Sequence, residues 1–336
     1  MKSGTVLVAI GDLTAVGEAR RAMAALALAV GLSGARASDA AIVVTEAASN
    51  IARHAGVVGE VLLRPLLVDD VPGVEVLAID RGRGITNLPA ARRDGFSTAG
   101  SQGEGFGAMA RQSSEFDVYS AEGQGTLVMA RVWDSPSPPT TRGLSVGVIC
   151  LAKPGESACG DNWCVVSDQD RIGVIVADGL GHGIQAADAS RRAVELFRQA
   201  PRQPLTAQMA MLHDGLRATR GAAVALAEIR PQRSELAYVG VGNINATIFD
   251  AIRRRTLVSH NGTVGAEARR IQEFIVPWTD QTLLVAHSDG LSTSWDLARY
   301  PGLRTRHVSL VGAALYRDHR RLQDDATIVT IGKAVA

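Results

Sequence analysis

Apolar and polar positions follow two kinds of period along this chain. Short runs that alternate with a period of two, rich in valine and isoleucine, predict strands, and longer runs with apolar residues three or four apart predict helices. In the first part of the chain, the predicted strands are Thr5–Ile10, Val61–Val68, Val74–Asp80, Glu115–Ser120 and Gly125–Trp133, and the predicted helices are Leu13–Gly31, Ala37–His54 and Gly107–Ser113.

The second part of the chain shows the same mixture of periods. Its predicted strands are Leu144–Ala152, Trp163–Asp168, Ile172–Ala177, Ala222–Ile229, Glu235–Val241, Ala246–Asp250, Thr282–Ser288 and Ala326–Ile331. Its predicted helices are Ile184–Gln199, Leu205–Thr219 and Ser309–Arg317. Both parts therefore predict an α+β fold.

A proline-rich stretch separates the two parts. Residues 135–142 read Ser-Pro-Ser-Pro-Pro-Thr-Thr-Arg, and they show no apolar period. Prolines remove backbone donors and favour extended chain, which is typical of a semi-rigid linker. We therefore predict a first domain over residues 1–134, a linker over 135–142 and a second domain over 143–336.

Composition narrows the classes of protein to consider. Of the 336 residues, 46% are hydrophobic and 21% are charged, and the formal net charge is +1. This balance favours folded domains and offers no bulk attraction to nucleic acid or to an acidic membrane. Asp12 and Glu18 interrupt any secretory signal, and the apolar run at residues 22–32 is too short to span a bilayer. Three cysteines cannot form a disulfide framework, so we expect a cytoplasmic protein.

Three short motifs stand out in the first domain. Glu46 and Asn50 lie four residues apart on a predicted helix, so that their side chains share one face. Such a pair can orient a hydroxyl group and supply oxygen to magnesium. Asp80 ends a predicted strand, where its carboxylate can accept a hydrogen bond from an adenine amino group. The glycines that accompany these residues are Gly82, Gly84, Gly103, Gly105 and Gly107.

The glycines suit the approach of a nucleotide. Gly82 and Gly84 allow the backbone to turn close to a flat base. A glycine-rich run before a helix can surround phosphates with backbone N–H groups. Each motif alone is more often a solvated helix face or a simple turn. Because the last run does not follow a strand in a βαβ unit, the dinucleotide-binding fingerprint is rejected.

Taken together, the motifs resemble the GHKL (Bergerat) ATP-binding fold, and within it the RsbT type of serine kinase. The resemblance rests on VVTEAASNIARHA (residues 43–55), VLAIDRGRGI (76–85) and residues 94–133. It implies an α/β sandwich in which Glu46 is the general base, Asn50 holds magnesium and Asp80 recognises adenine. It also implies that the glycines form the phosphate lid. His54 is interpreted as structural, and Glu104 departs from the apolar residue usual in relatives.

The second domain places aspartates at the ends of its apolar runs. These are Asp161, Asp178, Asp289, Asp324 and Asp325. A single Asp-Gly pair is usually a turn signal, but so many at strand ends suggest loops that converge on one site. An oxygen-only set favours magnesium or manganese over zinc. Two such ions can activate water and hold a phosphoryl group.

This set resembles the metal-dependent phosphatases of type 2C, in the SpoIIE and RsbX branch. The matching segments include KPGESACGDNW, VIVADGLGHGIQAADAS, VGVGNINATIF, VAHSDGL and DDATIV. The resemblance implies an αββα sandwich. It implies that Asp178, Asp289 and Asp324 bind metal together with the carbonyl group of Gly179, and that Asp161 acts partly through water.

Several neighbouring residues are left with open roles. His182 can donate a proton to a leaving serine oxygen, or it can be a loop residue held by hydrogen bonds. Asp325 is interpreted as lying just outside the metal shell. No arginine is an obvious ligand for phosphate, since Arg191 and Arg192 are interpreted as solvated helix residues. The remaining residues, Gly240, Gly242 and Asn243, are predicted to shape a turn near the site.

The leading hypothesis is a bacterial switch enzyme that uses ATP and magnesium to phosphorylate serine or threonine on a STAS-type partner. That partner would be an anti-sigma antagonist or a stressosome scaffold protein. The second domain would remove the phosphate with two manganese or magnesium ions. The alternative keeps the phosphatase and makes the first domain a nucleotide sensor or a module that binds a sigma factor or a scaffold.

Overall fold

The computed structural model describes residues 4–88, 105–139, 141–168, 170–250, 253–268 and 270–334. The chain divides into two compact units. The first comprises Met1–Thr140 and Asp296–Ala314, and the second comprises Thr141–Trp295 and Leu315–Ala334. A late segment, which the sequence pattern assigned to the domain over 143–336, therefore groups with the first unit.

The first unit is built on an antiparallel sheet. Its strands are β1 (Val6–Ile10), β2 (Gly59–Val68), β3 (Val71–Ile79), β4 (Glu115–Ser120) and β5 (Thr126–Trp133). They lie side by side in the order β1-β2-β3-β5-β4. Because side chains alternate between the two faces of a strand, Val74 and Val76 of β3 join the apolar core while Glu75 faces the other way.

Helices cover one face of this sheet. They are α1 (Thr14–Val30), α2 (Gly34–Asn50) and α3 (Gly105–Gln112). Buried residues recur at helical spacing, as at Ala19, Met23 and Ala27 of α1, and they pack in the same core as the sheet. After α2 the chain makes a π-helical turn over Ile51–Ala55. This turn replaces the end of the helix that the pattern predicted to run to His54.

The opposite face of the sheet carries a buried charge cluster. The Glu75 carboxylate, fully buried, accepts hydrogen bonds from Arg64 (2.9 Å to Nη2) and Arg131 (2.7 Å to Nε). The hydroxyl group of Ser309 donates to the same carboxylate at 2.8 Å. Burial raises the pKa of Glu75, but the two guanidinium groups outweigh it and hold that pKa at about 2. Segment Asp296–Ala314 thus completes this face of the first unit.

Two largely antiparallel sheets form the second unit. One contains β7 (Asp161–Ser167), β8 (Ile172–Gly179), β9 (Ala222–Arg230), β10 (Glu235–Val241), β13 (Ser259–His260) and β14 (Phe274–Pro277). The other contains β6 (Leu144–Leu151), β11 (Asn245–Phe249), β12 (Arg254–Leu257), β15 (Leu283–His287) and β16 (Ala326–Lys333). Their orders are β13-β10-β9-β8-β7, with β14 beside β10, and β12-β11-β15-β16-β6.

Apolar residues bury both faces of the first of these sheets. One cluster lies between the two sheets and includes Val176 of β8 and Val329 of β16. A second cluster joins the outer face of β8–β10 to helices α4 (Ile184–Gln199) and α5 (Leu205–Gly215), and it includes the buried Phe197. The last helix, α6 (Val308–His319), lies between β15 and β16 in the chain. In the described residues, no helix is long and apolar enough to cross a membrane.

Most predicted elements agree with the structure within a few residues. The chief omission is the stretch after β11, where β12, β13 and β14 were not predicted. These strands are short and carry mixed residues, such as Arg254 and Arg255 in β12, so no alternation marks them. Their conformation is decided by pairing with β11 and β10.

Candidate functional sites

In the first unit, α2 presents Glu46 and Asn50 to the start of α3. Both side chains are half-buried. A methyl group added at Gly105 would lie 3.3 Å from the side-chain amide of Asn50 and 3.4 Å from a carboxylate oxygen of Glu46. The structure thus brings together three of the residues that the sequence singled out. A glycine at 105 keeps the space next to the two polar groups open.

Asp80 lies just beyond the end of β3, and its carboxylate is held in one orientation. Its Oδ1 accepts hydrogen bonds from the backbone N–H groups of Gly82 at 2.7 Å and Thr126 at 3.1 Å. Asp80 itself is only 9% exposed. Thr126 was not singled out from the sequence, because a backbone donor leaves no signal in residue type.

The glycines around Asp80 lie so close to other backbone atoms that a side chain would clash. Gly84 has φ of 74°, and a Cβ atom there would lie 2.0 Å from the carbonyl oxygen of Ala121. A Cβ atom at Gly82 would lie 2.6 Å from the carbonyl oxygen of Ala55, in the π-helical turn. No other residue fits these positions without moving the backbone. The turn that follows Asp80 is therefore packed against the end of the α2 region.

The predicted phosphate lid is only partly described. Gly105 and Gly107 lie in the first turn of α3. Gly103 and Glu104 lie outside the described residues, so the lid and the effect of a carboxylate at 104 stay predictions. A helix start of this kind offers backbone N–H groups and a positive dipole end to an anion.

In the second unit, aspartates from both sheets meet at one end of the strands. Asp161 begins β7 and pairs in register with Asp178, near the end of β8. Asp289 follows β15, and Asp324 and Asp325 precede β16. The predicted convergence of loops is thus produced by strand ends of the two stacked sheets.

The carboxylates of this acidic centre perturb one another. Burial and the charge of Asp161 raise the pKa of Asp178 to about 9. Burial and the charges of Asp325 and Asp289 raise the pKa of Asp161 to about 7, although the Ser288 hydroxyl opposes the shift. Burial, followed by Asp324, raises the pKa of Asp289. Like charges in a partly buried site disfavour one another's ionised forms. A positive charge bound at this centre would therefore stabilise the ionised carboxylates.

Hydrogen bonds fix several of these carboxylates. The Ser288 hydroxyl donates to Asp161 at 2.6 Å and accepts the N–H of Thr327 at 3.0 Å. Asp325 accepts the N–H groups of Lys153 at 2.8 Å and Gly160 at 2.9 Å, which ties the loop before β7 to the loop before β16. The interpretation of Asp325 as a neighbour of the metal residues agrees with these bonds.

Two further predicted residues lie at the centre. The Asn243 side chain donates to Asp289 at 2.7 Å, so it contacts the site as well as shaping the turn after β10. A Cβ atom at Gly179 would lie 2.0 Å from the carbonyl oxygen of Ala186 at the start of α4. That close approach requires glycine directly after Asp178.

The donor set suits hard divalent cations. Every predicted side-chain ligand (Asp161, Asp178, Asp289 and Asp324) supplies oxygen, which magnesium and manganese prefer. Across the described part of the chain, no group of three or more acidic, histidine or cysteine side chains is arranged so that it could hold a metal ion. The raised pKa values of Asp178 and Asp161 mean that a cation bound nearby would favour their ionised forms.

His182 has a partner that the sequence did not reveal. Its Nδ1 lies 2.6 Å from a carboxylate oxygen of Glu156, and His182 remains exposed. Glu156 also packs on the backbone at Gly183, where a Cβ atom would lie 3.0 Å from its other oxygen. Glu156 lies 26 residues before His182, so residue spacing could not have paired them. A carboxylate that holds one ring nitrogen leaves the other directed elsewhere.

The helix arginines behave as predicted. Arg191 forms an ion pair with Asp188, and Arg192 forms one with Glu195, all on the surface of α4. Both arginines are exposed. Exposed pairs of this kind contribute little stability.

Two family models match the chain. The histidine kinase-like ATPase domain matches residues 11–132, and the stage II sporulation protein E (SpoIIE) model matches residues 168–332. These ranges contain the Glu46 site and most of the acidic centre, respectively, with Asp161 just before the second range.

Two proteins of Bacillus subtilis (strain 168) are similar to different parts of the chain. Serine/threonine-protein kinase RsbT is 33% identical over 90 residues, which are 27% of this chain and 67% of RsbT. Phosphoserine phosphatase RsbX is 22% identical over 143 residues, which are 42% of this chain and 72% of RsbX.

Solved structures agree with these matches. A chain described under "The bacterial stressosome: a modular system that has been adapted to control secondary messenger signaling" has 28% identity and a TM-score of 0.53, covering 56% of this chain and 98% of that one. RsbX in complex with magnesium has 19% identity and a TM-score of 0.54, covering 58% of this chain and 98% of that one, which is a likeness of fold.

These matches confirm the predicted α+β architecture, with an RsbT-like fold followed by a type 2C-like fold. They also fall on the two regions where the structure gathers polar residues. The chain therefore belongs to the histidine kinase-like ATPase family through its first region and to the SpoIIE phosphatase family through its second, as a fusion of an RsbT-type and an RsbX-type domain.

Proposed function

We propose that this chain is a two-activity signalling enzyme that adds a phosphate to serine or threonine of a STAS-type partner and removes it again. The convergence of Asp161, Asp178, Asp289 and Asp324 from two sheets is the observation that carries the phosphatase half. Its concentrated negative charge has no structural benefit unless cations bind there.

The phosphatase reaction would use two magnesium or manganese ions held by Asp178, Asp289, Asp324 and the Gly179 carbonyl group, with Asp161 acting partly through water. When bound, such ions activate water and neutralise charge on a phosphoryl group. The chain's own residues would orient the site: Ser288, itself held by the backbone N–H of Thr327, donates to Asp161, and Asn243 donates to Asp289. No nucleophilic side chain is required.

The kinase half would bind ATP with magnesium between α2 and the start of α3. Asp80 would accept a hydrogen bond from adenine, Asn50 would hold magnesium and Glu46 would accept the proton of the partner's hydroxyl group. The closeness of Glu46, Asn50 and Gly105 supports this arrangement. The likeness to a serine/threonine-protein kinase supports a hydroxyl acceptor.

The partner would be an anti-sigma antagonist or a stressosome scaffold protein. Similarity to RsbT, to RsbX and to a chain described within the bacterial stressosome supports this class of partner. One partner that serves both domains would allow the balance of the two activities to set its phosphorylation state in the cytoplasm.

Hydrolysis of a small aryl phosphate with added manganese tests the phosphatase half. Wild-type protein should turn over, and Asp178→Asn should not, because it removes a charge that the cations need. Asp188→Asn, on the exposed surface of α4, is the matched control and should keep wild-type activity. Equal activity in wild type and Asp178→Asn would overturn the proposed metal centre.

Glu46→Gln separates the kinase from a nucleotide-sensing module. The substitution keeps size and hydrogen bonding but removes the base. Binding of a fluorescent ATP analogue should persist, while transfer of phosphate to a purified STAS-domain protein should fall by about a hundredfold or more. If transfer survives in Glu46→Gln, the base assignment is wrong. If wild type binds the nucleotide but transfers none, the sensor function replaces the kinase.

A further inference from the structure

If the acidic centre is a phosphatase site, it has to bind a negatively charged phosphate group among carboxylates. A phosphate group is an anion, and the carboxylates that would hold the cations repel it. Bound cations offset part of that repulsion, but a guanidinium group offers both charge and a planar pair of donors that match phosphate oxygens. No arginine could be assigned to this role from the sequence.

The structure fixes one arginine on the loop of a predicted metal ligand. The backbone N–H of Arg321 donates to the carbonyl oxygen of Gly290 at 2.8 Å. Its Nη1 donates to the carbonyl oxygen of Asp289 at 3.2 Å. The guanidinium group is therefore held at the turn that carries the Asp289 carboxylate.

Most of the donor capacity of Arg321 remains available. The residue is exposed, and among the described residues its guanidinium group makes no hydrogen bond other than the one to Asp289, and no ion pair. A guanidinium group has five N–H donors. One donor anchors the group, and the others are available to a ligand from solvent.

The position of Arg321 follows from that hydrogen bond. Its guanidinium group lies beside the backbone of Asp289, whose carboxylate is one of the predicted metal ligands. A substrate phosphate that approached cations at Asp289 would therefore come within reach of Arg321.

A second arginine provides a contrast. Arg220 is exposed, and its Nη1 lies 3.0 Å from the position of a Cβ atom at Gly181, on the loop after Asp178. Within the described part of the chain it has no hydrogen bond or ion pair that would fix it at a predicted metal ligand. It carries the same charge near the same centre without the anchor.

We propose that Arg321 binds the phosphate group of the phosphoserine or phosphothreonine substrate at the acidic centre, an assignment that rests on the proposed phosphatase function. Its fork donates to non-bridging phosphate oxygens, and the bond to Asp289 keeps it pre-oriented. Since these oxygens are present before and during the reaction, Arg321 stabilises the ground state and the transition state alike. Such binding lowers KM with little change in kcat.

Steady-state kinetics on the full chain with manganese test this role. Arg321→Ala should raise KM for a phosphoserine peptide by about tenfold to a hundredfold, the value of a charge-assisted hydrogen bond, with kcat changed by less than about threefold. The inhibition constant of inorganic phosphate should rise by a similar factor. Arg321→Lys should recover part of the loss, and Arg220→Ala should stay near wild type.

A merely structural role would give a different pattern. If Arg321 only braced the Asp289 turn, Arg321→Ala would weaken manganese binding and lower kcat, and would leave the inhibition constant of phosphate unchanged at saturating metal. That result overturns the proposal. So does an increase in KM for Arg220→Ala with none for Arg321→Ala, since phosphate would then enter beside Gly181.

The proposal can fail independently of the phosphatase function. In wild-type protein with manganese, inorganic phosphate should raise the melting temperature, and Arg321→Ala should abolish the increase. This measurement of the melting temperature requires no turnover. A wild type without hydrolysis would overturn the phosphatase function, while the thermal shift would still decide whether Arg321 binds phosphate.

Discussion

At the scale of single residues, Gly105 controls the space beside Glu46 and Asn50. A methyl group there would lie within 3.4 Å of both side chains, in the place where nucleotide and magnesium would bind. We expect Gly105→Ala to weaken binding of an ATP analogue by about tenfold or more without unfolding the protein, since alanine favours helix. Fluorescence titration measures the affinity.

The control for this prediction is Gly34→Ala, at the start of α2, where an added Cβ atom meets nothing within 4 Å. It should bind the analogue as wild type does. Unchanged affinity in Gly105→Ala would place the nucleotide elsewhere.

The role of His182 and its partner Glu156 can also be tested with single substitutions. If His182 donates a proton to the leaving oxygen, His182→Asn should slow hydrolysis of a phosphoserine peptide by about a hundredfold. Hydrolysis of a nitrophenyl phosphate should change little, because its leaving group needs no proton. Glu156→Gln should show a weaker version of the same pattern, since Glu156 only orients the ring.

Comparison of the two substrates distinguishes the roles left open for His182. Equal losses on the peptide and on the aryl ester would mean that His182 only supports the loop. The proton-donor role would then be discarded, and the hydrogen bond between His182 and Glu156 would only stabilise the loop after Asp178.

At the scale of elements, the Glu75 cluster holds segment Asp296–Ala314 on the sheet of the first unit. Glu75→Gln leaves Arg64 and Arg131 buried with an uncompensated charge. Breaking such a cluster should cost about 3–5 kcal/mol of unfolding free energy. Urea denaturation measures it, and Asp188→Asn serves as an exposed control. A loss below about 1 kcal/mol would contradict this account.

The same cluster predicts a response to acid. The pKa of Glu75 is about 2 in the folded protein, against an ordinary value of 4.5. A depressed carboxylate pKa stabilises the fold fully above about pH 4.5 and loses this contribution as the pH falls towards 2. Urea midpoints of the first unit should therefore fall more steeply below pH 4.5 in wild type than in Glu75→Gln. Parallel curves would assign acid sensitivity to other groups.

At the scale of the whole molecule, the first unit is discontinuous in sequence. A fragment of residues 4–139 would lose the bonds that Ser309 makes with Glu75 and that the His307 N–H makes with Asp117. We expect the fragment to be less stable than the same region in the full chain. Addition of a peptide covering Asp296–Ala314 should raise its melting temperature, and a peptide with Ser309→Ala should raise it less.

A fragment that melts at the same temperature with and without the peptide would mean that this segment is dispensable for the first unit. Differential scanning fluorimetry of the fragment, alone and with each peptide, provides the comparison.

Local patterns in the sequence were enough to predict most of the elements and the chemical groups of the two candidate sites. Periods of two and 3.6 residues depend only on local geometry, so they predicted most strands and helices. Glu46 and Asn50 could be chosen because their spacing puts both side chains on one face of a helix, and the aspartates because they recur at the ends of apolar runs. The motifs also indicated the two families, which the comparisons confirmed.

Contacts between residues far apart in the chain became evident only from the folded structure. The pairing of His182 with Glu156, the anchoring of Arg321 at Asp289 and the burial of Glu75 against Ser309 all join positions far apart in the chain. Spacing cannot reveal such contacts, because they depend on how strand ends and loops assemble. For the same reason, the sequence pattern placed Asp296–Ala314 in the second domain, whereas in the folded chain this segment packs with the first unit.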